Sequence, residues 1–504
     1  MLISKIQNTY NKQNRLPDNK KVSGFAFLGN NLKENEISFL KEKAKKYPHD
    51  IDYKKKLLIN AGKNPDEYYR LYAIVGPQEL LEIMKKNSNN PDFFSAGEMD
   101  SNIKNGTMGA NTHLHTLSSD GFLSAEEFLE KSSAHADFIA QSDLQNQRVR
   151  KFLTGVSDHD TAESANDLIN LVYENPIKYK NLGVVLGVEH TTFDKFAPDV
   201  FSSPTSAHIL AYGIDPNEKT YAAFLQTYKN TKSEVLKKMI DDSNRIYQKS
   251  FRTGKKIFSV QEAENFYNPL KKNIMGTFNY ARTYIKTKLV LEEVVVKNKK
   301  FLQIFDSKGI KPDADFLTQG LRDYFYKVDK TNKARAPEKT ISLYLAEILQ
   351  VEPSDVEKIL NSTQKSEGYL RFVKTFETDV EKFNAGNYNG FKYVPDAADV
   401  YQAFKNQPET IIGVAHPLEL TEKISGLALQ KKYLVSFYEK FKKKCKEKAL
   451  FTEVYYQSYG ENVKQVQDNT EIKKLVDSLS KKLGLFKFGG SDTHRKNLFK
   501  RYFK

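Results

Sequence analysis

Two blocks of the chain, residues 107–216 and 393–494, share one texture: short apolar runs that end in polar clusters, with amphipathic helical patterns between some of them. The first block contains "GANTHLH", "FLTGVSDHD", "LGVVLGVEHT" and "AHILAYGID"; the second contains "IIGVAHP", "ALFTEVYYQSYG" and "LFKFGGSDTH". Strand, helix, strand in succession predicts α/β units with parallel strands. Ser124, with Glu127 three residues on, predicts a capping box at the start of the first helix, "SAEEFLEKSSAHADFIAQS".

The flanking regions read differently. "NEKTYAAFLQTYKNTKSEVLKKMIDDSNRIYQKSF" and "KARAPEKTISLYLAEILQ" make the middle of the chain mostly helical and Lys-rich. Near the start, "ENEISFLKEKAKKY" and "GPQELLEIMKKN" are amphipathic helices, the second with Pro in its first turn. The expected organisation is a helical N-terminal extension (1–105), a first barrel part (106–216), a mostly helical insertion (217–390) and a second barrel part (391–504). The two α/β blocks are then halves of one domain.

Composition narrows the chemistry. Lys plus Arg number 78 against 63 Asp plus Glu, a net charge of +15 spread along the chain. An even spread favours solubility and attraction of anions over a dedicated nucleic-acid patch. The one cysteine, Cys445, permits neither an internal disulfide nor a Cys-based zinc site. Any metal must be held by His, Asp and Glu. No run approaches 18 apolar residues and the start lacks a signal-like apolar stretch, so a cytoplasmic protein without a membrane span is expected.

The polar clusters fall at strand C-terminal ends, which share one face of a parallel barrel and build its active site. They carry His113, His115, Asp120, His159, Glu189, His208, His416, Asp492 and His494. His113 and His115 are two apart, as are Asp492 and His494, so each pair points to one face of a strand. Nine N and O donors exceed what one divalent ion uses and suggest two or three ions. The competing readings are plain ones: chance spacing for His113 and His115, a hydrogen-bonded core histidine for His208, a turn cap for Glu189. All must hold together for the site to vanish. His49 and His135 are read as structural. His190, facing away from Glu189 on a strand, is read as orienting or packing.

In this order, "THLHTLSSDG", "GVSDHDT", "GVEHT", "HILAYGID", "GVAHP" and "GGSDTH" resemble the motifs of the PHP (polymerase and histidinol phosphatase) family. The branch that they resemble is the metal-dependent phosphoesterases similar to nucleoside 3′,5′-bisphosphate phosphatases. The resemblance covers about 107–216 and 393–494. It implies a distorted (β/α)7 PHP barrel and a trinuclear site of Mn, Zn or Fe. It also implies a division of ligands: His113, His115, Glu189 and Asp492 on one ion; Glu189, His208 and His416 on a second; Asp120, His159 and His494 on the third. His113, His115, Glu189, His416 and Asp492 are the expected catalytic set. Asp158 and Asp160 are expected to orient ligands or cap a turn.

The chain departs from that branch in two places. "QSDLQNQRVRKFLTG" is inserted between the first two motifs, and the phosphate-gripping "G-R-P-H-I-A" has only a partial echo around Arg335. Arg282 and Arg245 are competing candidates for holding a second phosphate. The expected activity is hydrolysis of a phosphate ester of a small phosphorylated molecule or nucleotide by a metal-activated hydroxide, with His416 a candidate proton donor. The alternatives are exonuclease-like trimming of oligonucleotides, which no aromatic-and-basic stripe favours, and a non-catalytic PHP-like scaffold, which filled ligand positions disfavour. The sequence gives no oligomeric state.

Overall fold

A computed structural model describes residues 32–90, 93, 109–119, 121, 123–142, 152–194, 205–266, 277–328, 337–383, 387–388, 391–392, 394–421, 424–455, 463–490 and 492. The chain divides into two compact units. One contains residues 32–232 and 384–504, and the other is built around Ser233–Phe383.

The larger unit is mixed α/β and contains seven strands in the order β1 (Ala110–Asn111), β2 (Phe152–Val156), β3 (Leu182–Asp194), β4 (Thr205–Tyr212), β7 (Ile411–Val414), β8 (Leu450–Tyr455) and β9 (Phe486–Gly489). A separate two-stranded hairpin pairs β5 (Asn387–Tyr388) with β6 (Phe391–Lys392). The seven-stranded sheet curls into a nearly closed, distorted barrel. At the seam the backbone N–H of Asp492, just past β9, donates to the carbonyl of His113, just past β1, at 2.9 Å. A Cβ on Gly490 would collide with His113, so only glycine allows the two ends this close.

The expectation of parallel strands throughout is corrected at one place. β4 runs antiparallel to both β3 and β7, whereas β1–β2, β2–β3, β7–β8 and β8–β9 are parallel. Only ten residues separate Asp194 from Thr205, fewer than the roughly dozen a parallel crossover requires. His208 therefore sits within β4 rather than at its C-terminal end.

Period-two alternation sorts each strand into two faces. One apolar cluster draws on all seven strands: Ala110, Leu153, Val185, Leu210 with Tyr212, Ile411, Phe451 and Phe488. It fills the barrel interior. Tyr212 and Phe451 stack at 5.2 Å between ring centres, and a Cβ on Gly413 would collide with the Phe451 ring. Val75, Leu80 and Met84, from the segment leading into and forming the helix Pro77–Asn87, join the same cluster. The intervening residues, such as Val184, Leu186, Ile209, Ala211 and Ile412, face outward into a second cluster. There they meet the helices Pro48–Asn60, Ala125–Ser142, Glu163–Glu174 and Leu427–Lys444.

The expected capping box is present: Glu127 N–H donates to Ser124 Oγ at 3.1 Å, and Ser124 N–H to Glu127 Oε2 at 3.0 Å. The 33-residue helix Lys219–Phe251 starts in this unit. The smaller unit contains further helices, including Thr277–Val290, Ala314–Val328, Pro337–Leu349 and Glu367–Phe383. Among the described residues, no helix is long and apolar enough to cross a membrane.

Candidate metal centre

The alternation that sends Val185 into the barrel carries two residues further to Gly187 and then to Glu189, whose carboxylate is fully buried. Leu210 and Tyr212 place His208 on the inner face of β4 in the same way, and Phe451 places Glu453 on that of β8. His113, His159, His416 and Asp492 follow β1, β2, β7 and β9 by two or three residues. His159 is fixed more tightly. The Asp160 N–H donates to the Glu189 carbonyl at 2.8 Å, and the Glu189 N–H to the Asp158 carbonyl at 3.2 Å.

Five imidazoles converge on the Glu189 carboxylate. Oε2 lies 3.0 Å from His113 Nε2, 3.3 Å from His115 Nε2 and 3.4 Å from His159 Nδ1. Oε1 lies 2.9 Å from both His208 Nδ1 and His416 Nε2, which are themselves 3.2 Å apart. Asp492 Oδ1 is 3.3 Å from His115 Nε2 and 3.6 Å from His113 Nε2. Among the described residues, three overlapping donor groups result: His113, His115, Glu189 and Asp492; His159, Glu189 and His208; and His208, His416 and Glu419.

This donor set fits divalent ions on chemical grounds. His113 Nδ1 lies 2.9 Å from Glu453 Oε1 and donates its proton there. His113 Nε2, 3.0 Å from Glu189 Oε2, then meets that carboxylate either through a second ring proton or, from a neutral ring, through a cation that both atoms would hold. The electrostatics agree. Burial opposes charge on His113, yet Glu453 and Glu189 hold its pKa well above the usual value. His208 is raised by Glu189 against the same penalty. His416, also opposed by burial, is raised to about 9, by Glu419 and then Glu189. Burial would raise Glu189, but His113, His159 and His208 draw it well below the carboxylate range. The carboxylates therefore make the cluster a place where positive charge is favoured.

The backbone is bent to make this arrangement. Asp160 (φ 54°), His416 (φ 22°) and Asp492 (φ 47°) are three of the five described non-glycine residues with positive φ. Such conformations cost roughly 1–2 kcal/mol each and concentrate at functional sites.

Around the cluster lie carboxylates that orient it. Asp158 accepts from the Thr116 N–H, Thr116 Oγ1 and Ser119 Oγ, each at 2.6 Å, and from Ser164 Oγ. Glu453 and Glu419 were not foreseen from the sequence. The period-two relation of Phe451 to Glu453 was the available signal for the first. Asp120 and His494 lie outside the described residues, as does Arg335. Arg245 and Arg282 belong to the smaller unit. Arg245 is exposed and pairs with Asp242 at 2.6 Å, and Arg282 is half-buried on the helix Thr277–Val290.

No family model matches the chain, and no curated protein matches it. Among solved structures it is similar to an amidohydrolase from Chromobacterium violaceum, at 14% identity and a TM-score of 0.36, over 77% of this chain and 88% of that one. It is also similar to a Bifidobacterium adolescentis protein named as a metal-dependent phosphoesterase, at 14% identity and a TM-score of 0.30, over 78% and 89%. Neither likeness bears on what this chain does.

Proposed function

We propose that this chain is a metal-dependent hydrolase of phosphate esters, acting on a small phosphorylated molecule or nucleotide. The observation that carries the reading is the Glu189 carboxylate, fully buried and met by ring nitrogens of five histidines. A core has no structural use for so many titratable groups around one carboxylate, whereas clustered divalent ions need such a set. The choice of phosphate esters rests on the order of the six motifs.

His113, His115, Glu189 and Asp492 would hold one ion. His159 and His208 would share Glu189 with a second, and His416 joins His208 and Glu419 in a third donor group. Such ions, when bound, supply Lewis acidity: they neutralise phosphate oxygens and lower the pKa of water toward about 7. The residues of the chain do the rest. Glu453 holds the His113 ring so that Nε2 faces inward. Glu419 Oε2, 3.3 Å from His416 Nδ1, acts on that ring through its charge and raises its basicity. Because Glu419 is partly exposed, it is the acidic group of the cluster placed to exchange a proton between His416 and solvent.

The test is metal analysis of protein purified without chelator, followed by phosphate release from a panel of phosphomonoesters, 3′,5′-bisphosphates and short oligonucleotides. At least one tightly bound ion per chain and release from a small ester are expected. Metal-loaded protein inert toward the whole panel would refute the phosphoesterase reading, and an absence of tight metal binding would refute the metal centre itself.

A further inference from the structure

The 219–251 helix brings a charge into the interior beside the candidate metal centre. Lys232 is 4% exposed, and its Nζ lies 3.1 Å from Asp160 Oδ2. The Asp160 carboxylate is itself buried and fully engaged. Oδ2 also accepts from Tyr228 OH at 3.3 Å, while Oδ1 takes the Thr191 N–H at 3.1 Å and faces His190 Nδ1 at 3.3 Å. The His190 Nε2 end meets Tyr221 OH at 3.2 Å. Tyr221, Tyr228 and Lys232 thus line up on one face of the helix, at spacings of seven and four residues. The Lys232 ammonium also lies 4.4 Å from the centre of the Tyr228 ring.

Asp160 is the residue after His159 and occupies a left-handed turn. Its N–H is hydrogen-bonded to Glu189. The far side of the same short turn carries the His159 ring to Glu189 Oε2. A buried carboxylate without a countercharge is expensive, and the chain would reorganise to return it to water. Returning Asp160 to water means unwinding the turn that sets His159.

We infer that Lys232 is a positioning residue for the metal centre: by neutralising Asp160 it holds the turn that aims His159 at Glu189, and so sets the affinity for the ion between His159, Glu189 and His208. The inference rests on the reading that this group holds an ion.

The experiment is titration of the full-length, metal-stripped protein with Mn2+, followed by calorimetry and electron paramagnetic resonance, with thermal unfolding run alongside. Wild-type binding comes first. If the wild type binds no Mn2+, the metal-centre reading falls, independently of Lys232. If it binds, Lys232→Met is expected to weaken one class of site at least tenfold and leave the other within threefold, while unfolding stays cooperative. Lys232→Arg, which keeps the charge, is expected to recover most of the loss. Asp160→Asn combined with Lys232→Met, which removes both charges, is expected to bind more tightly than Lys232→Met alone. Unchanged Mn2+ binding by a folded Lys232→Met would overturn the inference, as would a uniform loss at every site or a Lys232→Arg variant as defective as Met. If Lys232→Met does not fold, Tyr228→Phe decides. At least threefold weaker binding at the same class of site supports the inference, and unaltered binding overturns it.

Discussion

Glu453 grips His113 with one carboxylate oxygen and the backbone of His416 with the other: Oε1 lies 2.9 Å from His113 Nδ1, and Oε2 accepts the His416 N–H at 2.8 Å. One side chain on β8 thereby fixes the ring orientation of a residue beyond β1 and the strained backbone of a residue beyond β7. Removing such outer partners of a metal-ligating histidine typically costs about 10–100-fold in metal affinity. Glu453→Ala is expected to fall in that range, with a stability loss of about 1–3 kcal/mol from the two donors left unsatisfied. Glu453→Gln, which keeps one acceptor, should lie between. Calorimetric metal titration checks this, and an alanine variant that binds like wild type would remove Glu453 from the site.

Replacing His113 and His115 together by Ala is expected to abolish phosphate release while leaving most of the fold in place. Far-UV circular dichroism and activity on the best ester of the panel are the two readouts. Undiminished turnover would show that the chemistry happens elsewhere.

Metal removal should loosen the barrel, because ligands from strands far apart in the chain then repel or compete for protons. An ion present at about 100 times its Kd contributes about 2.7 kcal/mol to the folded state. Chelation is therefore expected to lower the Tm by several degrees and added Mn2+ or Zn2+ to restore it. A Tm indifferent to both would contradict the ligand assignment.

His135 gives a pH dependence separate from the metal centre. It lies on the helix Ala125–Ser142 with its ring edge-on to Phe152 at 4.8 Å, and burial pushes its pKa down to about 4. The fold thus favours the neutral ring. The unfolded chain, near 6.5, takes up a proton first as the pH drops. The contribution of His135 is fully present above about 6.5 and is lost as the pH falls toward 4. His135→Phe should flatten that part of the urea-midpoint profile between pH 7 and 4.5. A variant with the same acid slope as wild type would place the loss on other groups.

The sequence was most informative where periodicity and local chemistry coincide. The helices, the Ser124–Glu127 cap and the pattern of apolar strand runs are local features, and the structure gathers His113, His115, His159, Glu189, His208, His416 and Asp492 around one point. The direction of β4 was not legible, since alternation looks the same in parallel and antiparallel strands; the short 195–204 connection was the clue. Alternation places Glu453 on the same face of β8 as Phe451 without saying which face is inside, so its role needed the assembled barrel. Lys232 is indistinguishable from its neighbours in "KNTKSEVLKK". Its role depends on Asp160, 72 positions away, which only the assembled barrel brings near.

The pairing of β4 with β7 joins strands about 200 residues apart in the chain. At ribosomal rates of about 5–20 residues per second, the β7 edge of β4 waits roughly 10–40 s for its partner to be made. During that interval the first half of the barrel presents an unpaired strand edge, a known template for misassociation. Complete synthesis of the intervening helices is thus a timing constraint on the nascent chain.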